Sequence, residues 1–147
     1  MIFMAYFYQT NYKGDANIGL YGFATDAYSL VGFGDKKTNQ NIKDILKVPV
    51  YSFRFLDISL IRLFITGNSS GAVISSMIPN YEIKEFKEKC GINLKVINSN
   101  YAIGNFILIN DKGIVISPAL KKLKDDIEKF FSLDSSITTI AGLNIVG

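Results

Sequence analysis

The chain has 147 residues, of which 48% are hydrophobic and 20% charged; this fits one domain with a buried core and excludes a disordered chain. The net charge of +3 permits an RNA-rich partner, but no Lys/Arg block interleaved with aromatics argues for one. One cysteine excludes an internal disulfide framework, and the lack of any histidine removes the usual zinc, Ser-His-Asp and Cys-His arrangements.

Met1–Tyr8 is apolar and aromatic, which predicts a buried strand. It is too short for a membrane span and lacks the basic flank of a signal peptide, so the expected location is cytoplasmic, with no membrane partner. Ile18-Gly19 and Thr25-Asp26-Ala27-Tyr28-Ser29-Leu30-Val31 come next, then a helix lined by Ile42, Ile45 and Leu46, then a strand over Val48–Phe53. The order then returns. Ile61-Arg62 precedes Asn68-Ser69-Ser70-Gly71-Ala72-Val73-Ile74, which matches the first copy at an offset of 43. Pro79 leads into a helix over Tyr81–Cys90, lined by Ile83, Phe86 and Cys90 and closed by Gly91, and Ile92–Ile97 reads as a strand. In the third copy Ala102–Ile109 is expected to be a strand. Asn110-Asp111-Lys112-Gly113 is a tight turn with Gly113 at positive φ, and Ile114–Ile116 is the return strand, at an offset of 42 from the second copy. Ser117-Pro118 precedes a helix over Ala119–Phe131, with Leu120, Leu123, Ile127, Phe130 and Phe131 at helical spacing. On that helix Lys121, Lys122, Lys124 and Lys129 alternate with Asp125, Asp126 and Glu128, which reads as a solvated face. Ser136–Ile140 is a last strand, and Val146-Gly147 opens a fourth copy.

A period of 42 to 43 residues marks a repeat architecture. The expected fold is an α/β repeat in one domain, 1–147, with units at about 16–58, 59–100 and 101–143, residues 1–8 as a closing strand, and 144–147 starting a fourth unit. Each unit is strand, turn, strand, helix, strand. Such a small sheet, with one helix on it, needs neighbours for its apolar face and its edges. Nothing resembles a polar cap, so ring closure is expected, and three units with the start of a fourth do not close a ring alone.

Several strings together resemble the archaeal and eukaryotic translation initiation factor 6 family. They are Asn17-Ile18-Gly19, Gly67-Asn68-Ser69-x-Gly71, Ala102-Ile103-Gly104-Asn105 with Asn110-Asp111-Lys112-Gly113, Ile116-Ser117-Pro118 and Thr138-Thr139-Ile140-Ala141-Gly142. The resemblance implies a pentein-type β/α propeller, here incomplete, with about three of five ββαβ units. It implies a ribosome anti-association factor that binds the large ribosomal subunit and sterically blocks the small one. The implied contact is chiefly a uL14-type ribosomal protein, with nearby rRNA, and no cofactor, metal or catalytic site is implied. Two units are then missing, which leaves a fragment, a three-unit relative, or a split protein whose complementing chain carries the remaining units.

The resemblance places the contacts near the unit starts: Asn17 and Gly19 in the first unit, Ser59 in the second and Asn105 in the third. Ser59 stands where eukaryotic members often carry Arg, and Arg62 stands where Gly is expected. A glycine there allows close approach, either to a partner or to the molecule's own centre. Asn105 could clamp a partner's backbone or satisfy a neighbouring strand. Arg62 could pair internally, or read a partner carboxylate or an rRNA phosphate. An amidine-modifying enzyme of the wider pentein group is the alternative. It needs a Cys–His pair, and Cys90 lies on an apolar helical stripe in a chain without histidine, so no enzyme is expected.

Overall fold

A computed structural model describes residues 8–147; the strand expected over 1–8 lies, but for Tyr8, outside the described residues. The described residues form three three-stranded sheets and three α-helices. The first sheet contains β1 (Gly22–Ala24), β2 (Ser29–Val31) and β3 (Val50–Ser52), with α1 (Lys36–Leu46) between β2 and β3. The second contains β4 (Ile65–Asn68), β5 (Gly71–Ser75) and β6 (Leu94–Ile97), with α2 (Asn80–Cys90). The third contains β7 (Ile107–Ile109), β8 (Ile114–Ile116) and β9 (Ser135–Ile137), with α3 (Lys124–Phe131). In each, the first two strands pair antiparallel and the helix returns the chain to a parallel third strand. The registers repeat as well: Gly22 faces Val31, Ile65 faces Ile74 and Ile107 faces Ile116.

The hairpin turns owe their shape to side chains. Thr25 Oγ1 accepts the Ala27 and Tyr28 N–H groups, Asn68 Oδ1 that of Ser70, and Asn110 Oδ1 those of Lys112 and Gly113. These are local Asx- and ST-type turns. Because Asn110 closes its turn, Gly113 needs no positive φ and does not adopt one, contrary to the sequence expectation. The three turns also bond to each other. Asp26 N–H donates to Ser69 Oγ at 3.2 Å, and the Ser69 N–H and Oγ–H donate to Asp111 at 2.8 and 2.6 Å.

Helix boundaries follow their caps. Asp35 accepts the Thr38 N–H at 2.9 Å to start α1, and Gly91 ends α2 at φ 62°. The last helix is not α-helical from Ala119. Ser117 Oγ accepts the Ala119 N–H, the stretch Pro118–Leu123 winds as a 3₁₀-helix with Leu120 at φ −107°, and α3 starts only at Lys124. Ser136–Ile140 is likewise shorter as a strand than expected, since Ile140 pairs with Leu143 across a tight turn.

Among the described residues two cores lie between consecutive sheets. The first joins Leu30, Phe53 and Phe55 to Ala72, Ile74, Ile83 and Phe86, and the second joins Val73 and Ile97 to Ile107, Ile116, Ile127 and Phe131. Each core therefore has three layers: one sheet, then the next unit's helix and sheet. Ala72 and Ile74 face one core and Val73 the other, as alternation along β5 requires. Helix α1 has a sheet on one side and no further layer among the described residues. None of its residues is buried, and a groove of about 410 Å³ runs beside it past Phe23, Val31, Phe33, Ile42 and Ile45.

Candidate partner-binding site

The unit starts are turns rather than the strand ends expected from the sequence. Ile18–Leu20, Ile61–Leu63 and Ile103–Asn105 each form one turn of 3₁₀-helix. Each is entered through a residue at φ near −75° with intermediate ψ: Asn17 (−79°, 54°), Leu60 (−79°, 56°) and Ala102 (−71°, 82°). That is inverse γ-turn geometry, and the Ile18 N–H to Ala16 and Ile61 N–H to Ser59 bonds, both 2.9 Å, close it. Consecutive turns pack against each other, first on second and second on third. A Cβ on Gly104 would stand 1.6 Å from the Arg62 carbonyl oxygen, so only glycine permits that approach. The end of the chain repeats the contact. Val146 and Gly147 N–H groups donate to the Asn105 carbonyl, and a Cβ on Gly147 would stand 2.0 Å from the Gly104 oxygen.

The expected residues fall differently along this row. Asn17 is exposed, and its backbone and side-chain N–H groups donate to Asp15 Oδ1 at 2.8 and 2.9 Å. The Asn17 backbone N–H and the Tyr21 hydroxyl hold the Asp15 carboxyl below the usual range. Gly19 is exposed, with no described atom within 4 Å of the place a Cβ would take. Ser59 is half-buried and turned toward the first unit, with Oγ 3.3 Å from the Tyr12 hydroxyl and its carbonyl against Gly32. Arg62 is half-buried; its Nη1 donates to the Gly104 carbonyl at 2.9 Å, and its Cζ lies 5.7 Å from the Phe23 ring centroid. Burial pushes its pKa down. Asn105 spends its backbone on the row, while its half-buried side chain has no hydrogen-bond partner among the described residues. The row thus brings Asn17, Gly19, Arg62 and Asn105 together on successive turns, and sets Ser59 aside.

A family model described as the eIF-6 family matches residues 7–147. The chain belongs to the eIF-6 family. Translation initiation factor 6 of Methanococcus vannielii is 31% identical over 146 residues, covering 95% of this chain and 64% of that protein. That of Methanocaldococcus jannaschii is 31% identical over 143 residues, covering 92% and 63%. That of Pyrococcus horikoshii is 30% identical over 145 residues, covering 93% and 64%. This eIF-6 family chain therefore spans just under two thirds of the length of such relatives. Among solved structures, the N-terminal domain of ArgZ, a cyanobacterial arginine dihydrolase, matches with a TM-score of 0.52 at 15% identity, over 76% of this chain and 43% of that one. That likeness concerns the fold alone.

Sequence reasoning missed a second repeated device in this eIF-6 family chain. Lys13-Gly14, Leu56-Asp57 and Ala141-Gly142 each hold two successive positive φ angles between bridged neighbours, the type I′ pattern. The two X-Gly pairs were a visible signal, but Leu56-Asp57 hid the third. The Leu56 N–H is held by Glu82 Oε2 at 2.9 Å. Cys90 is buried, and burial raises its thiol to about 11, which suits a packing residue rather than a nucleophile. Among the described residues no helix is long and apolar enough to cross a membrane.

Proposed function

We propose that this chain is a ribosome anti-association factor that binds the large ribosomal subunit in the cytoplasm and sterically keeps the small subunit from joining. It acts by shape and not by catalysis, with no cofactor. Its units form part of a pentein-type β/α propeller, and the contact is made by the row of unit-start turns: Asn17, Gly19, Arg62 and Asn105, with Ser59 behind them. The partner is chiefly a uL14-type ribosomal protein, with nearby rRNA. The observation that carries the reading is family membership joined to this row, in which the exposed Asn17 and Gly19 offer close approach and the Asn105 amide has no partner among the described residues. The test is co-sedimentation with purified large subunits. Wild-type chain travels with them, and Asn105→Ser weakens binding without lowering the melting temperature. Equal loss of folding and binding would instead make Asn105 a structural residue.

A second reading concerns the two open faces. Among the described residues the groove beside α1 has no third layer, and Leu108, Ile140, Leu143 and Ile145 are exposed at the other end. Both faces are of the kind that the internal cores bury, which supports coverage by further ββαβ units, in a continuation or in a complementing chain. The 147-residue chain alone should then self-associate in light scattering; a clean monomer with a cooperative melt counts against this.

A further inference from the structure

The Arg62 guanidinium is unfinished as a binding partner. It carries five N–H donors, and the described residues accept from one nitrogen, Nη1, through the Gly104 carbonyl at 2.9 Å. The chain's other arginine, Arg54, is exposed and paired with Asp57 at 3.4 Å. Arg62 is half-buried, and no carboxylate among the described residues forms an ion pair with it. Residues 1–7, Met1-Ile2-Phe3-Met4-Ala5-Tyr6-Phe7, contain no Asp or Glu either. A guanidinium drawn partly out of water without a counter-charge costs free energy, which an incoming anion offsets. The downward push on its pKa has burial as its cause, as expected of an uncompensated charge. The Ile18–Leu20 turn packs on the Arg62 turn, and a Cβ on its Gly19 would meet no described atom within 4 Å.

The geometry points to Arg62 as an anion receptor at the start of the second unit that takes an aspartate or glutamate side chain of a protein partner. The inference rests on the proposed large-subunit binding and narrows its contact to protein. Arg62 is the one charged residue in the three turns; the Phe23 ring lies beside it, and the neighbouring turn exposes Ile18 and Leu20. A guanidinium edge matches a planar carboxylate with two N–H groups. An RNA backbone calls for several cations along its track, which these turns lack.

Two arginines give two Nε–H signals in the ¹⁵N-labelled full chain, so Arg54 is an internal control. Titration with acetate at constant ionic strength should shift the Arg62 signal to saturation and leave Arg54 unmoved. In parallel, Arg62→Gln should bind purified large subunits about tenfold or more weakly while keeping the wild-type spectrum elsewhere. An Arg62 signal that stays still, or tracks Arg54, overturns the receptor and leaves Arg62 a strut between units. Saturation by inorganic phosphate well below acetate, with subunit binding that falls steeply with salt, overturns the carboxylate assignment in favour of RNA. A wild-type chain that ignores the subunits while Arg62 saturates with acetate sinks the ribosome reading alone. A wild-type chain that sediments, with Arg62→Gln its equal, sinks the Arg62 proposal alone.

Discussion

Glu128 joins the last helix to the last strand through one carboxylate. It pairs with Lys124 one turn earlier and accepts the Ser135 N–H at 2.6 Å and the Ser135 hydroxyl at 2.8 Å. Those contacts, the Lys124 one first, hold its pKa down to about 2 from an ordinary 4.5. A carboxylate with a depressed folded pKa contributes stability that is present above its unfolded pKa and lost as pH falls through the folded one. Thermal melts should therefore show wild type losing more than Glu128→Gln as pH falls from about 5 to about 2, the window set by that shift. Equal losses would mean that Glu128 has no such role. Another residue role is legible in the sequence: Asn110 reads as a turn residue and bonds its own turn, and Asn68 at the matching position of the second unit does the same. Gly113 misled because glycine permits positive φ without requiring it. Leu56 misled in the opposite sense, since an exposed leucine at φ 55° breaks the usual turn chemistry.

At the scale of elements, the hydrophobic period located the three helices and the strand order, because burial on one face leaves a pattern in the chain. Exact starts were less legible. The apolar run Ala102–Ile109 reads as one strand, yet its first half is a 3₁₀ turn. What decides this is the neighbouring unit's backbone, 42 residues away, against which Gly104 must lie. The glycines at matched positions consequently differ in what they tolerate. Gly104→Ala drives a methyl into the Arg62 carbonyl and should cost about 3 kcal/mol. Gly19→Ala meets open space at an unstrained φ and should change stability by less than about 0.5 kcal/mol. Urea midpoints of the two variants compare them directly; similar losses would refute the crowded-seam account. If Gly19 faces the ribosome, its variant should still lose affinity.

For the molecule as a whole, the repeat predicted three sheet-bearing units, and the described residues form three sheets and three helices. The cores between the sheets were less legible, since nothing local in β5 says that Ala72 and Val73 serve different neighbours. The row of unit-start turns was legible in part. Motif matches led to Asn17, Gly19 and Asn105, and the departure at Arg62 stood out, but the bond from Arg62 to Gly104 follows only from three-dimensional stacking. The same stacking turns separate dipeptides into one continuous row. If that row seats on the large subunit, the bulk of the sheets stands where a second subunit would approach. The direct test is a subunit-joining assay: incubate purified archaeal large subunits with increasing amounts of this chain, add small subunits, and measure the joined fraction on a sucrose gradient. The joined fraction should fall to a plateau as the chain saturates the large subunits. A joined fraction that stays unchanged in large molar excess of folded chain would contradict the account.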